Sequence, residues 1–140
     1  MTPLCIMLLV NHDNTSIPGQ WAILVAKDRR HKGTLFRAFE RRSRGINREI
    51  RNDFVIDRRE TVSIITLGAV LDSEVPLLEE IATEVDMPWP KGACSKKFDC
   101  REWVILFVQG LVQESFLRPC VMDKLRMARE IELDGPALRV

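Results

Sequence analysis

Phe98-Asp99-Cys100-Arg101-Glu102-Trp103 opens the helical half of this chain and sets a thiol on the first turn of a long amphipathic helix. Asp99 is a favourable N-cap, and Glu102, three residues on, can reach back to the Asp99 amide to close a capping box. Cys100 then takes the first helical position. From Trp103 to Phe116, the residues Val104, Phe107, Val108, Leu111 and Val112 recur at spacings of three and four, which predicts one broad face packed on a core. Unpaired amides and the positive end of the helix dipole stabilise a thiolate at such a start, where thiols titrate at roughly 3.5 to 7.5 instead of about 8.5. The plainer reading is that Cys100 is a small buried hydrophobe.

Everything before this helix but one segment reads as strand. Met1 to Val10 is a first strand, closed by a polar turn from Asn11 to Ser16 and by Pro18-Gly19. Gln20 leads a second, whose run Trp21 to Ala26 is apolar enough to lie centrally in a sheet. Lys27 to Gly33 is a charged hairpin loop, and Thr34 to Phe39 pairs next. Arg48 to Asp57 alternates about Ile50, Phe54 and Ile56, and Thr61 to Leu67 is a β-branched run, so two further strands are predicted. A short helix starts at Asp72 or Ser73 and runs through Val85, and Met87-Pro-Trp-Pro-Lys-Gly92 breaks it. Pro119 stands at the start of a last helix with Val121, Leu125 and Ala128 on one face. The prediction is α+β: a mainly antiparallel sheet of about five strands packed against two or three helices. Residues 1–140 form a single domain, with strands over 1–70, helices over 71–133 and a fraying tail over 134–140.

Composition narrows the function classes. The 140 residues are 46% hydrophobic and 29% charged with a formal net charge of +1, so no global field draws the chain to nucleic acid or membrane. Between Lys27 and Arg59, twelve arginines and lysines face five acids, but without the interleaved aromatics of a stacking platform; a solvated basic surface is expected and nucleic acid is not. The four cysteines share no repeated short spacing, and with two histidines they make a poor metal set, so neither a metal nor a cofactor is expected. Leu4 to Val10 has no basic residue before it, no small-residue cleavage site after it, and too little length for a bilayer. A cytoplasmic location with free thiols is the expectation.

Gln20-Trp21-Ala22-Ile23-Leu24-Val25, Gly33-Thr34-Leu35-Phe36 and Cys100-Arg101-Glu102-Trp103-Val104, in that order, resemble a group of small fungal proteins. In that group a His-Trp-Ala strand precedes a Gly-Thr-Leu strand and, much later, a Cys-Gln-Glu-Trp helix. The similarity covers about residues 3 to 118. The group in turn looks like circularly permuted papain-like proteins, such as lecithin:retinol acyltransferase relatives and permuted NlpC-type peptidases, in which a strand histidine meets a helix cysteine. The resemblance implies that Cys100 is the nucleophile and that Trp103 is the aromatic one turn beyond it. It places Gln20 where the strand histidine stands, and Arg37 where many relatives carry a second one. A glutamine can donate to an oxyanion and an arginine can clamp a carboxylate or phosphate, but neither serves as a base at neutral pH. His12 and His31, both in loops, are the other imidazoles.

Three functions follow as expectations. The first is a cysteine hydrolase or acyltransferase-like enzyme for a small ester, thioester or amide, with Cys100 and Gln20 in the reaction and Arg37, Trp21 and Trp103 holding substrate, in fungal metabolite tailoring. The second is a catalytically degenerate papain-like binding module. The third is a non-covalent isomerase or cyclase that reuses the same cleft.

Overall fold

In a computed structural model of the chain, residues 3–11, 20–41, 45–56, 62–85 and 100–133 are described. Five strands form one antiparallel sheet: β1 (Pro3–Asn11), β2 (Gln20–Ala26), β3 (Gly33–Arg41), β4 (Gly45–Phe54) and β5 (Val62–Leu71), in the order β4-β3-β2-β1-β5. A 3-10 turn, Asp72–Glu74, leads into α1 (Val75–Glu84), and α2 (Cys100–Gln113) and α3 (Val121–Leu133) are the other helices among the described residues. The architecture is therefore α+β, an antiparallel five-stranded sheet with three helices.

The apolar runs explain the order. β1 and β2 carry the most completely buried runs, Ile6 to Val10 and Ile23 to Ala26, and lie inside the sheet, where both faces are covered. β4, with Arg48, Glu49, Arg51 and Asp53, lies at an edge, where charge discourages pairing with a further strand. Side chains alternate between two cores. Ile6, Leu8, Val10, Trp21, Ile23, Val25, Phe36 and Ala38 join the helices in the larger one, whereas Met7, Leu9, Leu24, Ala26 and Leu35 form a smaller one with Ile56 on the opposite face.

The helical layer is seated by α2, whose Trp103, Val104, Phe107, Val108 and Leu111 are all fully buried against β2 and β3. α1 is tied to the sheet at both ends. The Leu71 amide donates to the Glu74 carboxylate at 2.9 Å where the 3-10 turn begins. Where α1 ends, the Arg48 guanidinium of β4 donates to the carbonyls of Ala82, at 3.2 Å, and Thr83. Those carbonyls belong to the last turn, where no intrahelical partner exists.

Several boundaries differ from the sequence expectation. α2 stops at Gln113, one turn short of Phe116, because Ser115 takes a left-handed conformation with φ 65°. The Ser115 amide then bonds the Val112 carbonyl at 3.0 Å and the Phe116 amide the Leu111 carbonyl at 2.8 Å, the paired closure of a Schellman motif. β4 begins at Gly45 instead of Arg48, since register with β3 extends to Arg41↔Gly45. β5 continues to Leu71, beyond Leu67, through pairing with β1. Pro119 lies in a turn ahead of α3, which starts at Val121, and the Met122 amide bonds the Pro119 carbonyl at 3.1 Å. The tail over 134–140 lies outside the described residues.

Candidate functional site

Three contacts fix the course of α2 and of the chain just after it. The ring of Phe107 lies 5.0 Å from that of Phe36, which pairs with Ile23 at the middle of β2. Further along, α2 meets α1 closely enough that a Cβ on Gly110 would lie 3.0 Å from Ile81 Cγ2. Beyond the helix end, Leu117 packs on Gly68, in register with Ile6 and through it with Val25 near the end of β2. The helix therefore runs from the Gln20 end of β2 toward the Ala26 end. Cys100 precedes Phe107 by seven residues, about 10 Å of helix, and Gln20 precedes Ile23 by three, about 10 Å of strand. The starts of α2 and β2 lie at the same end of the sheet.

Backbone placement is what the structure gives for Cys100 and Gln20; their side chains lie outside the described residues. Asp99, expected as the N-cap, lies outside them too, as do His12 and Cys94. Glu102, expected to complete the capping box, approaches Arg129 of α3 at 3.9 Å.

Trp103 is 0% exposed and stacks on Phe107 at 5.3 Å between centroids, and Trp21, 1% exposed, belongs to the same core. The Trp103 Nε1–H has no hydrogen-bond partner among the described residues, although it is buried. A donor left in that state costs about 1 to 3 kcal/mol. Next to Cys100 in sequence, Arg101 is only 6% exposed, a buried cation in the first turn of α2.

Arg37 lies elsewhere. It alternates with Phe36 and Ala38, which face the helices, so it sits on the far face of the sheet, where its Nε donates to Glu49 Oε1 at 2.7 Å directly across the β3–β4 ladder. The sheet thus separates Arg37 from the body of α2, while Trp21 and Trp103 share one core. His31 is also remote. It is exposed in the hairpin after Ala26, and its Nδ1 lies 2.7 Å from Asp28 Oδ1, which also accepts the Arg30 amide at 2.7 Å. Since β2 spans about 20 Å, His31 is beyond hydrogen-bond reach of the start of α2. The hydrogen bond from His31, with that from the Arg30 amide, holds the Asp28 carboxyl below its ordinary value.

Residue periodicity does not single out Arg101 or the Trp103 indole nitrogen. Trp103 falls on the buried stripe, but the stripe says nothing about its N–H. Among the described residues no cluster of histidine, cysteine and acidic side chains could hold a metal ion, and no helix is long and apolar enough to cross a membrane.

The fold and site define an α+β domain of one antiparallel sheet, with a cysteine at the start of the helix that packs on its central strands. The chain belongs to the family of unknown function DUF6540, whose profile matches residues 6–118. No curated protein and no solved structure shows a significant match to it.

Proposed function

We propose that this protein is a Cys100-centred hydrolase or acyltransferase-like catalyst of permuted papain-like descent, acting on a small ester, thioester or amide. The observation that carries the reading is that α2 begins at Cys100, at the end of the sheet where β2 begins at Gln20. A thiol there meets the positive pole of a 14-residue helix, which favours the thiolate. Gln20, at the position of the family histidine, supplies a hydrogen-bond donor for a developing oxyanion in place of a base. In this reading the thiol ionises without an imidazole, and water takes the proton.

Trp21 and Trp103 form the apolar floor under this end of the sheet. The free thiols of Cys5 and Cys120 fit a reducing cytoplasm, and a small-molecule substrate fits metabolite tailoring in a fungus. The test is selective alkylation. Iodoacetamide at neutral pH, followed by peptide mass spectrometry, is expected to label Cys100 ahead of exposed Cys120; equal or slower labelling of Cys100 contradicts the proposal.

A binding module that has lost turnover is the second reading, favoured by Gln20 itself, which cannot shuttle a proton. Under it, Cys100→Ala leaves ligand binding intact and Gln20→Ala weakens it.

A further inference from the structure

We propose that the cleft at the Ala26 end of β2 binds a small zwitterion, a molecule that carries both a carboxylate and a protonated amine. The cleft holds about 370 Å³, within the range of small-molecule sites, between Lys32 and Thr34 on one side and Asn52 and Asp53 on the other, over the buried Val25 and Ala26. It lies at the opposite end of β2 from Gln20, about 20 Å away. The site is therefore separate from the start of α2, and it stands whether or not Cys100 reacts.

A β-bulge builds the wall contributed by β4. Gly33 pairs with Phe54 and Leu35 with Arg51, so Asn52 and Asp53 together oppose Thr34 alone. The extra residue bends the strand and re-aims the side chains beside it. Thr34 Oγ1 donates to Asn52 Oδ1 at 3.3 Å, which ties the bulge to β3 across the cleft wall. Asp53 takes φ 58°, in the left-handed region that a glycine enters freely. A carboxylate thus occupies a backbone position that suits glycine, and the side chain it brings lines the cleft.

Charge names the ligand. Lys32 and Asp53 give the cleft one charge of each sign, yet neither pairs with the other or with another described residue. Unlike charges that share a cleft without meeting are complementary to a ligand that carries the same two charges in reverse. The Lys32 ammonium donates to its carboxylate, and the Asp53 carboxylate accepts from its protonated amine. Exposed Arg29 and Arg30 stand in the same hairpin as Lys32, so the carboxylate end is drawn to that side. A ligand with an anionic group alone would leave Asp53 as a repelling neighbour.

The experiment is an amide NMR titration of the full chain with glycine, β-alanine and 4-aminobutyrate, in which the two charges lie progressively further apart. Acetate and methylammonium are the single-charge controls. At least one zwitterion is expected to shift the amides of Gly33, Thr34, Asn52 and Asp53, with a Kd at least about tenfold below that of either control. Lys32→Met keeps the aliphatic stem, and Asp53→Asn keeps a residue that tolerates the left-handed backbone. Each is expected to weaken that binding at least about tenfold with Tm unchanged. Asp53→Gly separates backbone from charge: Tm should hold or rise while binding is lost. Absence of shifts at these residues with all three zwitterions overturns the proposal. So does acetate binding as tightly as the zwitterions, or full affinity in Asp53→Asn.

Discussion

Phe107 of α2 and Phe36 of β3 meet with their ring centroids 5.0 Å apart and their planes tilted by 38°. This contact sets the height of α2 over the sheet, and therefore where Cys100 falls along β2. Both rings are fully buried. Phe107→Ala is expected to destabilise the domain by about 3 to 5 kcal/mol, since it removes a large side chain from a packed core and leaves a cavity. Urea denaturation followed by circular dichroism measures this, and a loss below about 1 kcal/mol would contradict the packing described.

Arg48 joins the sheet edge to the helical layer by donating to the last carbonyls of α1. Arg48→Met keeps most of the aliphatic stem but removes these charge-assisted hydrogen bonds, so a loss of about 1 to 3 kcal/mol is expected. Amide exchange should rise selectively in the last turn of α1. Uniform exchange with unchanged stability is the contrary result.

Two glycines differ in what surrounds them. A Cβ on Gly33 would lie 2.4 Å from the Val25 carbonyl oxygen and 2.5 Å from Ala26 Cβ, both fixed by the sheet. One on Gly68 would meet only Leu117 Cδ2, at 2.6 Å, the far end of a side chain that can turn. Gly33→Ala is therefore expected to cost about 3 kcal/mol or more, and Gly68→Ala about 1. Thermal melts of the two variants check the order, and the reverse order would contradict the β2–β3 geometry.

The order of elements is legible in the sequence because apolar periodicity reports faces directly: Trp21 to Ala26 announces a central strand, and Val104 to Leu111 a buried helix face. Ends are less legible. The periodicity of α2 continues through Phe116, but the helix closes at Gln113 because Ser115 turns left-handed, a choice made by hydrogen bonds to Leu111 and Val112. The start of β4 at Gly45 depends on pairing with Arg41, and β4's own residues give no sign of it. At the candidate site, strand alternation alone assigns Arg37 to the face opposite Phe36, whereas the family resemblance grouped it with Cys100. The indole N–H of Trp103, without a partner among the described residues, has no sequence signal, since it depends on how one ring is turned within the core.

The Asp28–His31 contact predicts a pH response confined to the β2–β3 hairpin. Asp28 titrates below its ordinary value, mainly because of the His31 hydrogen bond. A lowered carboxyl pKa stabilises the folded loop above the unfolded value, and that contribution is lost as pH falls through the folded value. Carboxyl-carbon NMR should find Asp28 below the usual aspartate range, and His31→Ala should move it upward. No movement in the variant would contradict the contact.

The central claim is that the start of α2 makes Cys100 a nucleophile, and the pH dependence of its alkylation tests this most directly. The iodoacetamide rate at Cys100, resolved from the other thiols by mass spectrometry, is expected to rise through a midpoint at least one unit below the free-thiol value of about 8.5. A midpoint at or above that value, with Cys120 reacting as fast, would contradict it.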